Sequence, residues 1–86
     1  MKKSIFITGA SSGIGRSLSL KFASEGWKVV ASARRINLLK SLKNKSLKKK
    51  IIIPVKLDIT NSKMVSSKVK SIVKTNGIPD IIFLNA

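Results

Sequence analysis

Thr8-Gly9-Ala10-Ser11-Ser12-Gly13-Ile14-Gly15 is the stretch on which the fold of this chain turns. Before it runs Lys3-Ser4-Ile5-Phe6-Ile7, short, β-prone and apolar. After it runs Arg16 to Gly26, and Ile14, Leu18 and Phe22 recur every four residues across the junction. That is a strand, a glycine-rich turn and a helix. A helix start gathers N–H groups with no acceptor inside the helix, and with the helix dipole they favour a phosphate. Glycine at 9, 13 and 15 lets the chain turn tightly and lets a diphosphate lie against the main chain. Ile14, Leu18, Phe22 and Ala23 are expected to pack this helix on a sheet, and Gly26 is its stop.

The spacing is G-x-x-x-G-x-G, which differs from the G-x-G-x-x-G dinucleotide fingerprint. Gly15 is followed by Arg16 and Ser17, so the Gly-Lys-Ser/Thr end of a triphosphate-binding loop is also missing. Placed after a first strand, TGASSGIG resembles the short-chain dehydrogenase/reductase family. The resemblance implies that Thr8, Gly9, Ser11, Ser12, Gly13, Ile14 and Gly15 face the diphosphate of a nicotinamide dinucleotide. Read from the residues alone, the stretch could be a glycine turn with no ligand, and Ser12 could simply cap the helix.

Trp27 leads into a second strand over Val29-Val30-Ala31-Ser32, and Ala33-Arg34-Arg35 follows it. In dinucleotide folds an acid near this strand end holds the adenosine ribose hydroxyls. No acid occurs between Gly26 and Leu57. A guanidinium pairs bidentately with phosphate instead, so the residues point to NADP(H) in preference to NAD(H). Within the resembled family the basic residue just past strand two grips the ribose phosphate, and Arg34 is the matching position. Arg35 is a candidate for stacking on adenine and Arg16 a second candidate for the phosphate. Arg34, Arg35 and Arg16 are each also readable as ordinary solvent-facing charge.

Residues 36–50 read as a helix on Ile36, Leu39 and Leu42, ending in a lysine run; six of the 11 residues from 40 to 50 are lysine. Ile51 to Leu57 reads as a third strand, and Pro54 within it places that strand at an edge or sits where no partner is needed. Asp58 and Ile59 follow. The resemblance assigns them to the adenine end of the cofactor, whereas the residues alone allow Asp58 to make a turn with Thr60 and Asn61. A third helix over about 62–74 should bury Met64, Val65, Val69, Ile72 and Val73, with Met64 a core filler. Asn76-Gly77 and Pro79 end it, and Ile81-Ile82-Phe83-Leu84 is a fourth strand. The family carries Asn-Asn-Ala-Gly at that strand's end. Here Leu84 stands for the first Asn, and Asn85 and Ala86 remain, expected near the adenosine side of the cofactor.

The 86 residues bound the chain to one small domain, read as a truncated NAD(P)-binding Rossmann domain over 1–86. Cysteine, histidine and tyrosine are all absent, so disulfides, thiolate metal sites and cysteine nucleophiles are excluded. No metal site and no catalytic residue is expected. The opening residues make no secretory leader, and no apolar run approaches the roughly 20 residues of a membrane span. A cytoplasmic protein is the expectation. Lys and Arg total 18 against the three acids Glu25, Asp58 and Asp80, a net charge of +15. Such charge attracts nucleic acid non-specifically, yet no aromatic residue interleaves with the lysine run to stack a base.

The expected fold class is α/β, a partial Rossmann-like doubly wound parallel sheet, β-α-β-α-β-α-β, in strand order 3-2-1-4. The resemblance implies the amino-terminal NADP(H)-binding portion of an oxidoreductase that moves hydride between NADPH and a carbonyl or alcohol. The family's catalytic Ser, Tyr and Lys lie beyond the part represented here, so the chain is expected to be inactive alone. It should need a missing carboxyl-terminal part or an oligomer partner to cover strand four, whose bare edge invites aggregation. The alternatives are a non-catalytic nucleotide-binding module and a small basic nucleic-acid-binding protein.

Overall fold

A computed structural model describes residues 3–11, 13–45, 51–58, 60 and 62–84. The elements run β1 (Ser4–Ile7), α1 (Gly13–Ser24), β2 (Lys28–Ala33), α2 (Ile36–Lys45), β3 (Ile52–Lys56), α3 (Ser62–Asn76) and β4 (Ile81–Phe83). The strands form one sheet in the order β3-β2-β1-β4, and every pairing is parallel. This is the expected order. It puts Pro54 on an edge strand, opposite Ala31. The Leu57 N–H reaches back to the Ala33 carbonyl, so by strand alternation the nitrogen of Pro54 faces away from β2, where no donor is needed.

The two faces of the sheet are filled unequally. Ile5, Ile7, Val29, Ala31, Ala33 and Ile52 turn to the α1/α2 side and close on Ala10, Ala23, Leu39 and Leu42. Phe6, Val30 and Leu57 turn to the other side and meet only Ile72 of α3 in full burial, with Val55 and Val65 partly covered. Alternation along β1 therefore sends Ile5 and Ile7 one way and Phe6 the other, as a strand covered on both faces requires.

The stripe that seats α1 differs from the expected one. Gly15, Ser19 and Ala23, four apart, are its buried residues, while Ile14 is 65% exposed. Leu18, Leu20 and Phe22 pack only partly against the core. The reason is close approach: a Cβ on Gly15 would lie 2.3 Å from the Gly9 carbonyl oxygen. Helix and turn backbones touch, so small residues line the contact and larger ones flank it. The Ser19 hydroxyl donates to the Gly15 carbonyl at 2.7 Å, which satisfies it inside the contact.

Gly26 ends α1 as expected, with φ +88°. Its N–H bonds the Ala23 carbonyl and the Trp27 N–H bonds the Phe22 carbonyl, the paired bonds of a Schellman motif. The same two residues make its apolar contact, with the Phe22 and Trp27 rings edge to face at 5.0 Å between centroids. Gly77, at φ +83°, ends α3 with a bond from its N–H to the Val73 carbonyl.

On the α3 side the expected stripe is only partly buried. Met64 and Val69 are each 41% exposed, and Ile72 alone is fully buried. An open apolar groove of about 600 Å³ runs between α3 and the β1–β4 half of the sheet, lined by Val65, Val69, Val73, Pro79, Ile82 and Leu84 among others. β4 itself ends at Phe83, one residue short of the expected Leu84, which is 78% exposed. It is held at both ends by backbone bonds: the Asp80 N–H to the Ser4 carbonyl at 2.9 Å and the Thr8 N–H to the Phe83 carbonyl at 3.0 Å. The Asp80 carboxylate accepts the Ser4 N–H at 2.7 Å, a clamp with no advance sign in the sequence. α2 ends at Lys45, and the lysine run at 46–50 lies outside the described residues. No described helix is long and apolar enough to cross a membrane.

Candidate functional site

A parallel sheet brings all its carboxyl ends to one edge. Here that edge carries the glycine turn after β1, Arg34 and Arg35 after β2, and Asp58 after β3. β1 is also where the strand order reverses, with β2 on one side and β4 on the other, and open α/β sheets bind ligands at such a crevice.

The turn is anchored to both neighbours of β1. The Thr8 N–H bonds Phe83 of β4, and the Ala10 N–H bonds the Ser32 carbonyl of β2 at 3.0 Å. Gly9 has φ +63° and Gly13 φ +58°, backbone conformations that an L side chain strains to adopt. The three glycines thus have separate tasks. Gly9 and Gly13 bend the chain, and Gly15 lets α1 descend onto the turn. A Cβ on Gly13 would meet nothing within 4 Å, so the space above the helix start is open. Gly13 and Ile14 are exposed there, Ser11 is half-buried and Thr8 buried. Ile14 therefore sits at the mouth of the site, not on the sheet.

Arg34 and Arg35 are exposed beyond β2, and Arg16 is half-buried in the first turn of α1. Asp58 accepts both the Thr60 hydroxyl, at 2.6 Å, and the Thr60 N–H, at 3.0 Å. The Thr60 hydroxyl, then its N–H, and then the nearby Arg34 charge hold the Asp58 carboxyl below its ordinary value. The Thr60 part of the turn reading of Asp58 is thereby realised, and Asn61 lies outside the described residues. Ser12, Ile59, Asn85 and Ala86 lie outside the described residues. Among the described residues no cluster of three or more His, Cys, Asp or Glu could hold a metal ion.

The residue that sequence reasoning missed is Ser32. It is 1% exposed, and its hydroxyl donates to the Ile7 carbonyl at 3.0 Å, so it bonds both the end of β1 and the turn. A polar residue amid Val29-Val30-Ala31 and Ala33 was the available signal.

A family model described as short chain dehydrogenase matches residues 3–86. The chain belongs to the short-chain dehydrogenase family. It corresponds to the amino-terminal, cofactor-binding part of longer members. An NADPH-dependent pterin aldehyde reductase of Arabidopsis thaliana is 32% identical over 84 residues, 98% of this chain and 35% of the relative. The solved structure described as ElxO with NADP bound superposes with a TM-score of 0.89 at 31% identity, covering all of this chain and 35% of that one. A 3-ketoacyl-(acyl-carrier-protein) reductase from Brucella melitensis complexed with NADH gives 0.82 at 29% identity, over 93% and 32% of the two chains. The chain spans about a third or less of the curated relatives it matches, 28% and 34% for two of them. The family binds nicotinamide dinucleotides, and the relatives include both NADH and NADP complexes.

Proposed function

We propose that residues 1–86 form the NADP(H)-binding portion of a short-chain-type oxidoreductase that, as a whole enzyme, transfers hydride between NADPH and a carbonyl or alcohol. The observation that carries this reading is the pairing of an open, glycine-built helix start with Arg34 one strand away, in a segment from Gly26 to Leu57 that contains no acid. The residues fit the group. The first turn of α1 begins at Gly13, where the space is open, and N–H groups at a helix start suit a diphosphate. Thr8, Gly9, Ser11 and Ser12 are assigned to the same diphosphate on the family resemblance. Arg34 suits the ribose phosphate, with Arg35 and Arg16 adding positive potential. Asp58, Ile59, Asn85 and Ala86 are assigned to the adenosine side on the family resemblance alone.

NADPH when bound supplies the hydride. The part played by this chain is to hold it by its diphosphate and adenosine ends, and no residue here is assigned a proton transfer, since the chain contains no tyrosine. The apolar groove beside α3 is the face on which the carboxyl-terminal remainder of a family member would pack, which accords with coverage of only about a third of the relatives. The test is calorimetric titration of the chain with NADPH and NADH, alongside a hydride-transfer assay. NADPH binding tighter than NADH, without turnover, is expected. Failure to bind either cofactor contradicts the reading, and equal affinity contradicts its choice of NADP(H).

A further inference from the structure

Between the glycine turn and Arg34 lies a short rigid link. Ser32 is the fifth residue of β2, two before Arg34, and its side chain is sealed from solvent. It makes two bonds toward the turn. Its hydroxyl donates to the carbonyl of Ile7, the last residue of β1, at 3.0 Å, and its own carbonyl accepts the Ala10 N–H at 3.0 Å. Ala10 is fully buried, and its Cα lies 3.1 Å from where a Gly15 Cβ would stand, so the turn is wedged beneath α1. From above, α1 presses on the turn through Gly15. From the side, Ser32 ties it to β2. A buried hydroxyl between Ala31 and Ala33 needs a partner, and here the partner is the strand end from which the turn departs.

We propose that Ser32 is a positioning residue for dinucleotide binding: through Ile7 and Ala10 it fixes the glycine turn relative to the end of β2, and so sets the distance between the diphosphate cradle and Arg34. The inference rests on the nucleotide reading above. Removing the hydroxyl leaves every group assigned to the cofactor and the main-chain bond to Ala10 in place, but loosens the end of β1 from which the turn departs. A ligand that spans both ends of the site feels that freedom. A ligand that occupies only the Arg34 end does not.

The test titrates the chain, Ser32→Ala and Ser32→Thr with two probes, NADPH and adenosine 2′-monophosphate, which lacks the diphosphate. Ser32→Ala should weaken NADPH by about five- to tenfold, the scale of one net hydrogen bond, and leave the monophosphate within about twofold. Ser32→Thr, which keeps a hydroxyl, should restore NADPH binding. Should the alanine variant fail to fold, Ser32→Cys, similar in size and a weak donor, should show the same selective loss. Equal losses for both probes would mean that Ser32 merely supports the fold, and an unchanged NADPH affinity would mean that it positions nothing. A parent chain that binds neither probe overturns the nucleotide reading itself and this inference with it.

Discussion

The two faces of the sheet are built to different standards. On the α1/α2 side ten buried residues interlock, the helix and turn backbones touch at Gly15, and a Schellman motif with a ring pair closes α1. On the α3 side four apolar residues among those described are buried and a groove of about 600 Å³ lies open. The glycine turn joins the finished face through Ala10 and Gly15, whereas Thr8 borders the open groove and Ser32, by strand alternation, shares the α3 side with Val30. What the contrast teaches is that precision for a ligand and burial for stability come from the same contact here. The open face carries the apolar surface through which the rest of a family member is expected to attach.

The largest effect that would break this contrast is expected at Gly15. A valine there drives carbon atoms into the Gly9 carbonyl, where backbone and not a flexible side chain must yield. Overpacking costs roughly 1–3 kcal/mol or more, enough to unfold a chain this small. Circular dichroism should show loss of cooperative melting. A normal melt would mean that α1 does not rest on the turn.

Next comes a matched pair of truncations. Leu39 is fully buried and Val69 is 41% exposed. Leu39→Ala should cost about 2–5 kcal/mol, whereas Val69→Ala should cost under about 1 kcal/mol. Urea midpoints measure both. Similar losses would mean that the α3 face is already closed. Smaller still is Ile82→Lys on the exposed edge of β4, 61% exposed. It should change stability by no more than about 0.5 kcal/mol while suppressing self-association in sedimentation runs, because a lysine blunts a bare edge.

The smallest effect is electrostatic. Asp58 is held below its ordinary value first by the Thr60 hydroxyl, then by the Thr60 N–H and the Arg34 charge. A carboxyl lowered in the folded state stabilises it above the ordinary carboxylate value, and that contribution disappears as pH falls through the lowered one. Asp58→Ala should therefore narrow the stability difference between neutral and acid solution slightly, as read from denaturation curves at the two pH values. An unchanged difference would mean that the Thr60 bonds do not persist in solution.

The sequence made the architecture readable because each signal was local. Glycines at 9, 13, 26 and 77 sit where φ is positive, and Pro54 lies on the edge strand β3. The seating of α1 was misread because apolar periodicity at Ile14, Leu18 and Phe22 outweighed the quieter small-residue period of Gly15, Ser19 and Ala23. Close backbone contact selects for absence of side chain, and hydropathy does not register an absence. The α3 stripe of Met64, Val65, Val69, Ile72 and Val73 reads as buried because it is amphipathic, yet Met64 and Val69 are each 41% exposed. Amphipathicity marks which side faces a core but says nothing about whether that core is complete. At the site, the turn and the arginines were legible by type and spacing. Ser32 was not, because its importance lies in partners that are distant in sequence, Ile7 at 25 residues and Ala10 at 22.

The central claim is that the edge bearing Arg34 reads the ribose phosphate of NADP(H). Titrating NADPH and NADH against the parent chain and Arg34→Ala, in a protein extended by the carboxyl-terminal part of a family member if solubility demands it, tests this most directly. A charge-assisted hydrogen bond contributes about 1.5–3 kcal/mol, so the variant should lose roughly ten- to a hundredfold for NADPH and almost nothing for NADH. Adding Ala33→Asp should then invert the preference. Equal losses for the two cofactors would contradict the account, since Arg34 would then be supporting the loop and not recognising the phosphate.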